Sequence, residues 1–200
     1  PDMEALLRKK QCSLTSLESG RAISKFDVVG FSLQYELCMT GILTILELGG
    51  IPLRASERTD EHPIIIAGGP VCYHPEPFSD FFDAFFIGDG EELVVEFLEA
   101  LKSWKAQGLT RHEMLARMCD IQGIYVPKFF EPQYDENGRF SGMLPLKDGY
   151  NSVRRRIISS LVGAPYPTKP IVPNITAVHD RLSVEVMRGC VRGCRFCQAG

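Results

Sequence analysis

Apolar residues along the chain fall into two kinds of stretch. Short runs without polar alternation, Phe26–Leu33 (FDVVGFSL), His62–Ala67 (HPIIIA) and Phe81–Ile87 (FFDAFFI), predict strands covered on both faces. Between and around them, apolar positions recur at helical spacing. In Glu36–Leu48 these are Leu37, Ile42, Ile45, Leu46 and Leu48, with Gly49, Gly50 and Pro52 as the stop. In Glu91–Gln107 they are Leu93, Val94, Phe97, Leu98 and Leu101, with Gly108 as the cap. A first helix is predicted at Pro1–Lys10, where Met3, Leu6 and Leu7 share a face and Arg8, Lys9 and Lys10 suit the carboxyl end. Another is predicted near Arg111–Cys119. Non-alternating strands separated by helices predict an α/β fold, a doubly wound parallel sheet of Rossmann or flavodoxin-like kind.

From Gly123 to Pro145 the pattern changes to Pro, Gly and aromatic residues around the turn signal Asp135-Glu136-Asn137-Gly138. A small hairpin with arms Tyr125–Phe130 and Arg139–Leu144 is expected. Val153–Ile158 holds Arg154, Arg155 and Arg156, read as a solvated face or linker, with an RNA-contacting patch as the other possibility. Pro165, Pro167, Pro170 and Pro173 mark an extended connector. Leu182–Met187 (LSVEVM) alternates as a strand leading into a cysteine cluster. The expected domains are 1–122 (α/β), 123–180 (hairpin and connector) and 181–200 (start of a further domain).

Composition narrows the function classes. At 44% apolar, the 200 residues can build a core, which excludes wholesale disorder. The net charge of −3, from 22 basic and 25 acidic residues, provides no overall field for nucleic acid or an anionic membrane. No apolar run approaches the roughly 20 residues of a membrane helix. With no signal-type region, a cytoplasmic location is expected.

Ligands of parallel α/β sheets bind at the carboxyl ends of the strands. Ser32, Gly68, Gly69, Pro70, Gly88, Gly90 and Glu91 follow the three predicted strands, and form the candidate ligand face. Gly69 and Gly90 would admit a large flat ligand, or else simply serve tight turns, Gly90 in one of positive φ.

Of seven cysteines, Cys12, Cys38, Cys72 and Cys119 lie singly beside apolar stretches and are expected to be structural. Cys190, Cys194 and Cys197 crowd one short segment, a spacing a random chain of this composition would show with a probability of roughly 0.01. Three thiolates leave one position open on a soft metal centre. A structural zinc would need a fourth ligand such as His179; a 4Fe-4S cluster would instead expose one iron.

Met187–Gly200, MRGCVRGCRFCQAG, resembles the radical S-adenosylmethionine (radical SAM) signature C-x3-C-x-aromatic-C, with Phe196 in the aromatic place. The resemblance implies that Cys190, Cys194 and Cys197 bind a 4Fe-4S cluster that cleaves S-adenosylmethionine to a 5′-deoxyadenosyl radical, with Phe196 beside the cofactor. It also implies a reductant protein such as flavodoxin or ferredoxin. The stretches FDVVGFSLQYEL, IIIAGGP and FIGDGEE resemble radical enzymes with an N-terminal cobalamin-binding-type domain, an uncharacterised bacterial group of Fe-S oxidoreductases. None of His62, His74, His112 or His179 sits in the D-x-H-x-x-G pattern that supplies a lower cobalt ligand. Against this resemblance the α/β domain is expected to lack its first strand here, and only the first strand of a radical SAM barrel is expected. The chain is therefore expected to be an inactive fragment of an enzyme. The rival reading is a non-catalytic α/β module that binds a ligand or partner and carries a structural metal.

Overall fold

The computed structural model describes residues 2–169, 174 and 184–197. They divide into two compact units, 1–158 and 159–200.

The first unit is built on a sheet of β1 (Val28–Ser32), β2 (Ile64–Gly68), β3 (Ala84–Phe86) and β4 (Ile124–Tyr125), in that spatial order. β1, β2 and β3 run parallel, with Ser32 level with Gly68 and Gly68 level with Phe86. Their carboxyl ends therefore form one edge. β4 is antiparallel to β3. This corrects the expectation of a wholly parallel sheet. Two helices, α3 (Gly90–Ala106) and α4 (Arg111–Met118), intervene between β3 and β4. An even number of helices returns the chain to the end it left, so the next strand must run the other way.

Side chains alternate across this sheet into two cores. Ile64, Ala84, Phe86 and Ile124 meet Leu93, Phe97, Leu101 and Trp104 of α3 and Leu115 and Met118 of α4. On the opposite face, Ile65, Ala67, Phe85 and Tyr125 meet Met39, Ile42 and Leu46 of α2 (Cys38–Leu48) and the 3-10 turn Pro70–Tyr73. β2 and β3 are covered on both faces, which is why they read as unbroken apolar runs, whereas β1, at the edge of the described sheet, has no fully buried residue, so the expectation of a buried strand there is met only in part. Phe97, wholly buried with its ring edge-on to Phe86 at 5.2 Å, is the kind of residue whose truncation costs about 3–5 kcal/mol.

Local chemistry sets the helix ends. α3 stops as the sequence indicates: Gly108 N–H returns to Lys105 O and Leu109 N–H to Trp104 O. α4 starts at a capping box, Thr110 Oγ1 accepting from Glu113 N–H and the Glu113 carboxylate from Thr110 N–H. α1 (Asp2–Lys10) is tied to α2 by the Arg8 guanidinium on Glu47, 2.7 Å.

The hairpin is displaced from its expected arms. Ile124–Tyr125 joins the main sheet, where its apolar side chains are buried, so the hairpin arms are β5 (Phe130–Tyr134) and β6 (Phe140–Pro145). The third strand is also shorter than FFDAFFI, because Glu76–Phe81 forms a 3-10 turn. Cys72 and Cys119 are buried as expected, but Cys12 is exposed in the turn that ends α1.

Among the described residues of the second unit no helix or strand forms. Of the strand expected at Leu182–Met187, Leu182 and Ser183 lie outside the described residues and Val184–Met187 is irregular and exposed, with no partner strand among those described. His179, Pro170 and Pro173 lie outside them too. Among the described residues no helix is long and apolar enough to cross a membrane.

Candidate functional site

The level ends of β1, β2 and β3 put the residues after them on one edge. Ser32, Gly69, Pro70, Gly88 and Gly90 are exposed there, and Gly68 and Glu91 are half-buried. Tyr35, Leu37 and Tyr73, in the segments that follow β1 and β2, are exposed as well. The glycines, however, accommodate the chain's own backbone. Gly69, at φ +108°, lies so near Leu33 that a Cβ would sit 2.7 Å from its carbonyl oxygen. Leu33 N–H in turn donates to Gly68 O at 2.7 Å, stitching the first two loops together.

The third loop is closed by a distant segment. Arg156 N–H donates to Ile87 O and Asp89 N–H to Arg156 O, both at 2.9 Å, and Ile158 N–H reaches the Asp89 carboxylate at 2.9 Å. A Cβ on Gly88, again at φ +108°, would lie 2.0 Å from Arg156 O. Gly90, in contrast, is the first residue of α3, does not take a positive φ, and has only Val94 Cγ2 near a would-be Cβ, at 3.7 Å. The demanding glycine of this loop is therefore Gly88. The Arg156 guanidinium turns back onto α3, 2.8 Å from Glu96 and 3.1 Å from Glu92, which hold it more firmly protonated than usual. Of the three arginines in this run, Arg154 and Arg155 are the exposed ones.

A second constellation was not singled out from the sequence. Asp83, just before β3, is 3% exposed, and its Oδ2 accepts from Arg58 Nη1 at 3.1 Å, Arg111 Nη2 at 2.6 Å and Ile65 N–H at 2.7 Å. Arg58 also donates to the carbonyls of Pro52, Leu53 and Phe81, and Arg111 to those of His62 and Pro63. Burial pulls the Arg58 guanidinium below its ordinary range while the Asp83 charge opposes that shift. The cluster fastens loops at the amino end of the sheet, away from the glycine edge. An acid inside FFDAFFI was its one sequence signal, since a buried carboxylate needs partners.

In the second unit, Cys190, Cys194 and Cys197 are all exposed. Cys197 N–H closes a turn on Cys194 O at 3.1 Å, and Arg192 N–H lies 3.5 Å from Cys190 Sγ. Phe196 beside them is 92% exposed. Among the described residues no three metal-ligating side chains are drawn together. The donor set nonetheless fits a soft metal centre: the thiols are of one kind, closely spaced, and reachable without unpacking a core.

An α/β unit whose parallel strand ends are level is thus followed in the chain by a segment with three close cysteines. Residues 1–127 match the family of radical SAM proteins, N-terminal, and the chain belongs to that family. The cysteine segment lies beyond the matched residues. An uncharacterized protein of Methanocaldococcus jannaschii is 25% identical over 186 residues, which cover 92% of this chain and 32% of the relative. The chain thus spans about a third of that relative's length. No solved structure matches the chain.

Proposed function

We propose that the chain is the N-terminal part of a radical SAM enzyme in which Cys190, Cys194 and Cys197 hold a 4Fe-4S cluster. The observation that carries this reading is the C-x3-C-x2-C set of exposed thiols with Phe196 before the last, in a chain of this family. When bound, the cluster with S-adenosylmethionine supplies one-electron chemistry that yields a 5′-deoxyadenosyl radical. The chain's own part is to present three thiolates on one short segment and leave the fourth position to the cofactor, with Phe196 as an apolar contact for it. A flavodoxin or ferredoxin in the cytoplasm is the reductant this chemistry calls for. On this reading residues 1–122 and 123–180 together give the α/β domain, with β4 of the second stretch completing its sheet, and the hairpin and connector, and 181–200 open the radical SAM domain.

For the first unit we propose a doubly wound, flavodoxin-like domain of cobalamin-binding type. Its described strands β1, β2 and β3 succeed one another without reversal of order, so the switch point at which such sheets bind ligands would lie at the outer side of β1, with a further strand there. Ser32, at the end of β1, stands next to that point, and Gly68, Gly69, Pro70, Gly88, Gly90 and Glu91 extend the face along the neighbouring strand ends. A corrinoid would be held without histidine ligation.

Anaerobic reconstitution of the whole protein with iron and sulfide tests the cluster. About four iron and four sulfide per chain, and loss of S-adenosylmethionine cleavage in Cys194→Ala, are the expected results. A single tight zinc with no iron uptake would instead favour a non-catalytic α/β module with a structural metal.

A further inference from the structure

The carboxyl end of β3 already has an occupant in residues 154–158. Their hold on the loop after β3 is built of polar contacts. It consists of the backbone bonds to Ile87 and Asp89, the bond from Gln122 Nε2 to Arg155 O at 3.0 Å, and the ion pairs of Arg156 with Glu92 and Glu96. The two carboxylates are 57% and 45% exposed. None of residues 154–158 is buried; the apolar anchor is Val153 just before them, which packs against both cores and marks the fixed end of the segment. Contacts of this kind open locally, at less cost than the sheet behind them. What they cover is a carbonyl, an amide N–H and a carboxylate at the end of a parallel strand, the groups with which such an edge grips a polar ligand.

We propose that residues 154–158 form a releasable strap. Seated, it satisfies Ile87 O, Asp89 N–H and the Asp89 carboxylate from within the chain. Released, it opens the loop after β3 to a ligand carrying hydroxyl or amide groups. Strap and ligand need the same three groups, so they exclude one another, and a ligand on this edge frees the segment that leads into the cysteine arm. The proposal rests on the carboxyl edge being the ligand face, but its test requires no ligand.

Native-state hydrogen exchange on the whole protein provides that test. The amides of Arg156, Ile158 and Asp89 are expected to exchange well before those of Ala67 and Phe85 in the sheet. Their exchange should quicken about three- to tenfold in the variant combining Glu92→Gln with Glu96→Gln, while the sheet amides stay unchanged. In the unaltered protein, salt of about 0.5 M should move the same three amides in the same direction. Strap amides that exchange only together with the sheet, indifferent to salt and to the double variant, would overturn the proposal, because the segment would then be part of the cooperative core.

Discussion

Arg111 Nη2 and Asp83 Oδ2 meet at 2.6 Å in the interior of the first unit, the one from the first residue of α4 and the other from just before β3. With Arg58 on the same oxygen, the carboxylate is neutralised where water cannot reach it. Asp83→Ala strands two guanidinium groups and is expected to cost about 3–5 kcal/mol in urea denaturation. The exposed pair Arg54–Asp80 serves as the control, and Asp80→Ala should cost less than about 1 kcal/mol. Equal losses in the two variants would show that burial of the Asp83 cluster carries no special weight.

The two glycines of the loop after β3 should respond oppositely to alanine. Gly88→Ala places a Cβ against Arg156 O at a positive φ, so a fall in melting temperature of several degrees is expected, with faster exchange at Arg156 N–H. Gly90→Ala adds a better helix former where space is open, and should leave the melting temperature level or slightly higher. Thermal denaturation of both variants makes the comparison.

The sequence made much of this arrangement readable, but unevenly. The runs FDVVGFSL and HPIIIA announced β1 and β2, the second because a strand buried on two faces shows no polar alternation, the first through its β-branched and aromatic residues although it lies only half-buried. Gly108 announced the end of α3 equally well. Relations between distant residues left no such trace. Nothing near Arg58 or Arg111 marks them as partners of Asp83, nothing in GDG says which glycine takes the positive φ, and the arginine run resembles any solvated linker until Arg156 is seen against Ile87. The direction of β4 depends on where two helices deliver the chain, which no local window contains.

Thiol chemistry should separate the buried cysteines from the exposed ones, with half-buried Cys38 between them. Burial pushes the thiols of Cys72 and Cys119 up to about 12, whereas Cys12, Cys190, Cys194 and Cys197 are exposed. In metal-free protein at pH 8, iodoacetamide should label the exposed cysteines first and reach Cys72 and Cys119 only on unfolding. Mass spectrometry of a labelling time course checks this, and early modification of Cys72 would contradict the packing described.

The same burial implies an alkaline limit to stability. In the unfolded chain these thiols ionise near 9, in the fold near 12, so over that interval the unfolded state binds fewer protons and stability falls as pH rises. Below about pH 9 the contribution is fully present. Buried Tyr150, also shifted upward by loss of solvent, acts in the same direction. Urea midpoints between pH 8 and 11 should decline, and the decline should be shallower in Cys72→Ala, whatever that variant's absolute stability.

The short joint between α3 and α4, with its glycine stop and its Thr110–Glu113 start, bears on the order in which the chain assembles. Closing it confines only a few residues, so this helical pair can form and re-form on its own while the rest of the chain is still open. The pairings of β1 with β2 and of β2 with β3 must each close a long loop before a single ladder bond is gained. Formation of the first unit is thus expected to start from the α3 and α4 face and to end with β1, leaving the earliest strand in the sequence as the last to find its place.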